Sequence, residues 1–312
     1  MTEKPLVSVI INCYNGEKYL REAIDSVIAQ TYENWELVFW DNQSTDSTRE
    51  IVESYGDPRI HYFYAPEHTS LGKARNLAME KVKGLYLVFL DSDDIWHEVF
   101  LEEAVNFLAQ DSNSSGFYSN YEMFNASRST INNPQRKSGY SDFRFFLSHY
   151  DVGILCAIVR KDILNKYSIH FDERYSLIED FDFFLKIVRI QPMYYCEKPL
   201  ARYRMHEESL SFSQKDGWGK EFRFLLNDLR NLWLSKEECR LYKKELDWLE
   251  VRAVYADMNE AIDKDNKKEV LSLISGNWRK SFKLVIGLLY VLIGKRRYMN
   301  FMNFVRRGNY QA

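Results

Sequence analysis

Three acids in four residues, Asp91-Ser92-Asp93-Asp94, close the apolar run Leu85–Leu90. Carboxylates gathered at the mouth of a buried strand repel one another unless a cation neutralises them. Hard divalent cations such as Mg²⁺ or Mn²⁺ prefer such oxygens and commonly share them with a substrate's phosphates. The plainer use of Asp93 or Asp94 is to cap the helix that follows. An EF-hand loop does not fit, because its sixth position would be Trp96 rather than glycine. Two more polar clusters follow apolar runs in the same way. Asn12-Cys13-Tyr14-Asn15-Gly16 succeeds Leu6–Ile11, and Asp41-Asn42-Gln43-Ser44-Thr45-Asp46 succeeds Trp35–Trp40. Open α/β sheets bind ligands beyond the carboxyl ends of their strands, so the three clusters are expected on one edge. A dinucleotide-binding turn is excluded, since the first βα turn lacks G-x-G-x-x-G. Further on, Glu179-Asp180 opens a helical pattern. Read from the residues alone, these are first-turn acids favoured by the helix dipole.

The elements that must position these residues alternate. Strand patterns at Leu6–Ile11, Trp35–Trp40, Arg59–Tyr64 and Leu85–Leu90 are separated by helical ones at Glu17–Gln30, after the capping-box sequence Ser47-Thr48-Arg49-Glu50, and at Leu71–Lys83. The last of these helices is expected to end at Gly84. Another helix is expected over His97–Gln110. This order implies parallel βαβ units with right-handed crossovers. Gly116–Phe124 and Ile154–Val159 read as further strands, Ser112–Ser115 and Ala126–Ser141 as loops, Asp180–Ile190 as a helix, and Met193–Met205 as extended chain. From Trp218 to Ser275 the chain reads helical and highly charged.

In their order and spacing, five stretches resemble family 2 glycosyltransferases of the GT-A fold. They are VSVIINCYNGEKYLREAIDSVIAQTYENWEL, DNQSTDST, LGKARNLAMEKVKGLYLVFLDSDDIW, IEDFDFFLKI and YRMHEESLS, which cover most of residues 5–212. The resemblance implies an α/β fold: a Rossmann-like, mostly parallel sheet flanked by helices, with a C-terminal helical appendage. Residues 1–110 would form a nucleotide-sugar-binding half, 111–215 the acceptor-binding half of the same domain, and 216–312 the helical region. It also implies a nucleotide-sugar donor (a UDP-sugar favoured), a divalent metal, Mn²⁺ or Mg²⁺, and inversion at the anomeric carbon. By motif position Asn12 and Tyr14 would contact the nucleoside. Asn42 would meet the base where many relatives carry Asp, and Arg75 would reach the base or the diphosphate. Asp91 and Asp93 match the D-x-D motif, with Asp93 the stronger metal ligand, and His206 would sit near the metal or the diphosphate. Arg202 and Arg204 are weaker phosphate candidates. Glu179-Asp180 matches the catalytic acidic pair, with Asp180 the general base that takes the acceptor's proton.

Composition narrows the classes. The chain has 312 residues, 46% of them hydrophobic and 28% charged, as in an ordinary globular protein. Aromatics reach 15%, which suits stacking on sugars or bases as well as an aromatic core. The middle stretches Phe117–Tyr121 and Phe143–Tyr150 lie where acceptor recognition is expected. Four cysteines without CxxC spacing fit reduced thiols in the cytoplasm. The N-terminus reads as a strand rather than a signal peptide, and no apolar stretch is long enough to span a bilayer. From Val270 to Ala312 there are eight Lys or Arg and no acid, so all 45 Asp and Glu lie earlier, with the other 34 of the 42 cations. An acidic body disfavours nucleic acid as a partner. A basic tail around the apolar run Leu284–Ile293 is expected to lie on an anionic membrane, where a lipid-linked or other glycan acceptor would be met. The expected function is sugar transfer in bacterial surface polysaccharide synthesis, O-antigen or capsule. The alternatives are a nucleotidyltransferase, disfavoured because NCYNGEKY is not a Gly-rich basic loop, and a catalytically silent nucleotide-sugar-binding protein, which would be expected to have lost Asp93 or Asp180.

Overall fold

The structure, a computed structural model, describes residues 4–209, 216–277 and 286–298. The chain divides into two compact units, 1–209 and 210–312. The first is built on a ten-stranded sheet in which Ile60–Tyr64, Trp35–Asp41, Val7–Cys13, Tyr86–Phe89, Ala157–Arg160, Gly116–Phe124, Met193–Arg204 and Ile95–Trp96 lie side by side in that order. β1 (Val7–Cys13), β2 (Trp35–Asp41), β3 (Ile60–Tyr64) and β4 (Tyr86–Phe89) form its parallel part, with β1 flanked by β2 and β4. Their near-continuous apolar sequences reflect burial on both faces: every residue of β2 and β4 is buried, and all but Asn12 of β1. The crossovers are α1 (Leu20–Ile28), α2 (Thr48–Glu53) and α3 (Leu71–Met79).

Beyond β4 the sheet becomes mixed. β5 (Ile95–Trp96), α4 (Phe100–Gln110), β6 (Gly116–Phe124), β7 (Ser129–Ile131), β8 (Gly139–Ser141) and α5 (Phe143–Ser148) follow in the chain. Then come a 3₁₀ turn (Ile154–Cys156), β9 (Ala157–Arg160), α6 (Lys161–Lys166), α7 (Glu179–Ile190) and β10 (Met193–Arg204). β9 runs antiparallel between β4 and β6, whereas β6 and β10 are parallel. The stretch read as the loop Ala126–Ser141 therefore contains two short strands, each antiparallel to a longer one. The strand expected over Ile154–Val159 begins as a 3₁₀ turn.

Two local expectations are corrected. Ser47 stands at the N-cap of α2, but its side chain does not cap; the Thr48 amide goes instead to Asp46 Oδ1 at 3.1 Å, and the Ser47 amide to Glu17. Gly84 does not close α3, which ends at Met79 with Glu80 as its C-cap. A Cβ on Gly84 would lie 2.7 Å from the Leu6 carbonyl and the Ser8 amide, so the glycine is needed for the chain to press against β1.

The second unit is helical: α8 (Trp218–Asp228), a π-helical turn (Leu229–Trp233), α9 (Lys236–Leu241), α10 (Lys243–Asp263), α11 (Lys267–Asn277) and α12 (Ile286–Ile293). Met258, Ala261, Ile262, Val270, Ile274, Tyr290 and Tyr298 form a buried cluster in it. The apolar tail contributes Tyr290, whose hydroxyl donates to Asp265 at 2.6 Å, while Leu292 stays 79% exposed. Much of the tail expected to meet a membrane, 278–285 and 299–312, lies outside the described residues. Among the described residues no helix is long and apolar enough to cross a membrane.

Candidate active site

The loops after β1 and β2 lock together at the carboxyl edge. The Asn15 amide donates to Ser44 Oγ at 2.9 Å, and the Thr45 amide returns to Asn15 Oδ1 at 2.8 Å. Gly16 N donates to Thr48 Oγ1 at 3.1 Å, and Glu17 N to Asp46 Oδ2 at 2.9 Å. Asn15 and Gln43 both adopt left-handed backbone, φ 55° and 71°. Such residues concentrate where the surrounding structure over-determines the turn; here the Gln43 amide is tied to the carbonyls of Ala65 and Pro66. Gly16 lets this double loop reach the acid cluster, because a Cβ there would stand 2.4 Å from Cys13 Sγ and 3.2 Å from Ser92 Oγ.

On this edge Tyr14 is 54% exposed, and its ring lies 4.4 Å from that of His68. His68 Nδ1 meets the Asn42 carbonyl at 2.8 Å. A carbonyl only accepts, so Nδ1 carries the proton and Nε2 of the neutral ring is left as an acceptor. Asn42 is buried, and its side chain is spent on Thr69, donating to the carbonyl at 2.8 Å and accepting from the amide at 3.1 Å. It therefore holds the loop that carries His68. Both polar atoms of the Asn12 side chain are enclosed without a partner. Sequence reasoning passed over His68, because no spacing rule links a loop histidine to Tyr14 fifty-four positions earlier. Asp41, placed in the edge cluster by the sequence but given no role there, accepts from Tyr62 Oη at 2.6 Å and the Ser44 amide at 2.7 Å, fixing the second loop.

Arg75 is the centre of the remaining cluster. It is 3% exposed and donates to Glu179 at 2.9 Å and to Asp91 at 3.1 Å. The next residue in α3, Asn76, brackets the Phe171 backbone, donating to its carbonyl and accepting from its amide, each at 2.9 Å. One helix thus pins both the acid cluster after β4 and the segment leading into α7. Burial pushes the Glu179 carboxyl up to about 7, opposed by Arg75. Asp91 and Asp180 are raised for the same reason and are likewise opposed by Arg75. Asp180 Oδ1 accepts from the Phe181 amide at 2.7 Å, and the Tyr150 hydroxyl faces the same carboxylate.

Asp93 meets His206 Nε2 at 2.7 Å, a contact reaching from β4 to the end of β10. Arg204 secures that end. Its amide donates to Asp94 Oδ1 and its Nε to the Asp93 carbonyl, both at 2.8 Å, and its guanidinium reaches Glu22. Arg202 instead pairs with Glu122 on β6. Asp94 Oδ2 is enclosed without a partner, and burial beside Asp93 and Asp91 holds this carboxyl well above the usual range. The donor chemistry fits a hard divalent cation. The Asp93 and His206 side chains converge in a hydrogen bond at 2.7 Å that a cation would replace, and the carboxylates outnumber the nearby arginines. Asp91 is turned to Arg75 rather than to this pair. Among the described residues no group of three His, Cys, Asp or Glu could hold an ion unaided, so a cation here needs oxygens from a ligand.

Residues 8–168 match the family model described as glycosyl transferase family 2. The chain belongs to that family. It is therefore a sugar-transferring enzyme. An uncharacterized glycosyltransferase of Rickettsia prowazekii is 33% identical over 250 residues, 77% of this chain and 76% of that one. A second, from Rickettsia typhi, is 34% identical over 66% of each chain. The UDP-Glc:alpha-D-GlcNAc-diphosphoundecaprenol beta-1,3-glucosyltransferase WfgD of Escherichia coli is 30% identical, covering 73% of this chain and 90% of its own. Among solved structures, S. aureus TarS 1-349 in complex with UDP-GlcNAc superposes with TM-score 0.64 at 18% identity, covering 97% and 92% of the two chains. The mannosyltransferase PcManGT of Pyrobaculum calidifontis in complex with GDP-Man and Mn²⁺ gives 0.58 at 17%, covering 93% and 88%. These likenesses establish the GT-A fold for the family 2 chain.

Proposed function

We propose that this family 2 glycosyltransferase moves a sugar, with inversion, from a nucleotide diphosphate donor to a hydroxyl of a lipid-linked or glycan acceptor in bacterial surface polysaccharide synthesis. The observation that carries the reading is Arg75, buried and bonded at once to Asp91 on the expected donor side and to Glu179, whose neighbour Asp180 is the expected base. Tyr14, exposed and with the His68 ring tilted against it, offers a face on which the base would stack, and Asn12 would contact the nucleoside. Because His68 Nε2 accepts, a base that presents an N–H on its pairing edge, as uracil N3–H does, is favoured. The name of the Escherichia coli relative and the nucleotide bound to TarS support a UDP-sugar. Arg75 and Asp91 would address the ribose and diphosphate, and Asn42 acts through the His68 loop.

Asp93 and His206 would hold a Mn²⁺ or Mg²⁺ ion shared with the diphosphate. Such an ion neutralises charge that develops on a leaving diphosphate. The protein's own part is deprotonation. The acceptor hydroxyl oxygen forms a bond to the anomeric carbon, the bond from that carbon to the diphosphate breaks, and the hydroxyl proton passes to Asp180. A single displacement needs no second nucleophile, and Glu179, tied to Arg75, is not free to be one. The diphosphoundecaprenol acceptor of the Escherichia coli relative supports a site of action on the cytoplasmic face of the membrane. Exposed Leu292, followed by exposed Arg296 and Arg297, supports peripheral contact with anionic lipid there. A thermal-shift screen of UDP-, GDP- and dTDP-sugars with Mn²⁺ tests the donor: a UDP-sugar should raise the melting temperature by mass action, and a response to none of them contradicts the proposal.

A further inference from the structure

A cleft of about 510 Å³ opens between helices of the second unit, inside the range of small-molecule sites, roughly 300–1,000 Å³. One wall is a stripe along α8 and the π-helical turn after it, where Arg223, Asn227, Arg230 and Asn231 recur at helical spacing. Single π turns within helices are frequent at functional sites; this one is closed by the Leu234 amide on the Leu229 carbonyl at 3.0 Å. α10 supplies Glu250 and Val254, one turn apart, and α11 supplies Leu273 and Asn277 in the same way. Leu226 and Val254 are buried and give the cleft an aliphatic floor. The amides are oriented by their partners. Asn231 Nδ2 lies 2.9 Å from the Asn227 carbonyl and 2.8 Å from Asn227 Oδ1. A carbonyl only accepts, so both N–H groups of Asn231 are spent, leaving its own oxygen and the Asn227 NH₂ group for another partner. Asn277 donates to the Leu273 carbonyl at 2.9 Å, which leaves its oxygen as well. The charges cancel, because Arg230 pairs with Glu250 at 3.3 Å and Arg223 with Asp257. Both pairs are partly exposed, and such pairs add little to stability.

We propose that this cleft is a carbohydrate site additional to the donor edge, taking a neutral sugar ring of a glycan chain. A sugar hydroxyl both donates and accepts. The cleft sets fixed acceptors, the Asn231 and Asn277 oxygens, beside a fixed donor, the Asn227 NH₂ group, with further arginine N–H groups on the same wall. The aliphatic floor suits the C–H face of a sugar ring. A phosphate or a nucleotide would need cations in surplus, and each arginine here already has its acid. A flat base would want an aromatic face, and among the described residues none lines the cleft. Every lining residue belongs to the second unit, so the inference depends neither on Asp180 being the base nor on the identity of the donor nucleotide.

The test uses the full chain labelled with ¹⁵N at asparagine. The side-chain NH₂ resonances of Asn227, Asn231 and Asn277 are identified by their loss in the corresponding Asn→Leu variants. The probes are the methyl glycosides of glucose, galactose, mannose and N-acetylglucosamine, together with maltose and cellobiose, and inorganic phosphate as the anion. At least one sugar should shift the three resonances with saturation in the millimolar range, and phosphate should leave them in place. The double variant Asn231→Leu, Asn277→Leu removes two acceptors and should weaken that sugar about tenfold. Asn231→Asp keeps the shape but can no longer donate to the Asn227 carbonyl, and should weaken it likewise, which guards against a fold defect in the double variant. Affinity for UDP, measured by calorimetry, should be the same in all of them. The proposal is overturned if no sugar of the panel moves these resonances, if phosphate moves them as strongly, or if the variants bind the sugar as the unaltered protein does. A parallel loss of UDP binding would also overturn it, by assigning the cleft to the donor. Failure of the catalytic reading, seen as full transfer by Asp180→Asn, would leave these shifts unchanged.

Discussion

Glu179→Gln should make the protein more stable, and by an amount that depends on pH. The carboxyl is 5% exposed and is pushed from its usual 4.5 up to about 7 by burial. The folded protein therefore binds this proton more tightly than the unfolded chain. Ionising Glu179 destabilises the fold: the cost is absent below pH 4.5, grows as pH rises to about 7, and is constant above that. At about 1.4 kcal/mol per pH unit the full effect is about 3 kcal/mol. Glutamine never ionises, keeps an oxygen for the Arg75 guanidinium, and leaves Arg75 facing Asp91 and Asp180. For a unit of this size, about 3 kcal/mol corresponds to a rise in Tm of about 6–12 °C. Thermal melts of both proteins at pH 8 should show that gain, and at pH 4 it should nearly vanish. An equal gain at both pH values would refute the reasoning, and a loss at pH 8 would mean that the Arg75–Glu179 bond outweighs the burial of the charge.

Asp93→Ala should leave the fold intact but abolish the part of nucleotide-sugar affinity that Mn²⁺ confers; calorimetry with and without the metal checks this, and full activity of wild-type protein in excess EDTA would contradict it. His68→Ala removes one ring of the Tyr14 pair and one acceptor, and should weaken UDP binding about tenfold at unchanged Tm; an unaltered Kd would remove His68 from the base site. Replacing Leu292 with Asp and Arg296 and Arg297 with Ser should release the protein from anionic vesicles at low salt without loss of UDP binding; if the unaltered protein does not sediment with such vesicles, the membrane contact is wrong.

The parallel half of the sheet was legible because burial on both faces leaves nearly unbroken apolar runs, as in β1 and β2. The polar clusters at their ends were legible because a buried strand can change character so abruptly only where it meets the edge. β7 and β8 were not legible: three residues each, they take their place from partners in β6 and β10 rather than from any pattern of their own. Gly84 was misassigned because a glycine after a helix resembles a cap, whereas its reason lies in the distant backbone of Leu6 and Ser8. In the site, Asp93 and His206 were named separately, and their contact at 2.7 Å across 113 positions is a product of the fold. Arg75 was expected to reach a ligand. Its bond to Glu179 could not be read from the sequence, because nothing local to α3 refers to the start of α7.

The central claim is that Asp180 is the base that deprotonates the acceptor, with donor binding carried by other residues. The most direct measurement compares Asp180→Asn with wild type: the rate of sugar transfer to a polyprenyl-diphosphate-linked acceptor, and the Kd for the UDP-sugar that the thermal screen selects. Loss of a positioned base should lower the rate by about 10²–10⁴-fold while the Kd stays within twofold. Transfer at the wild-type rate, or a donor affinity that falls in step with the rate, would contradict the account.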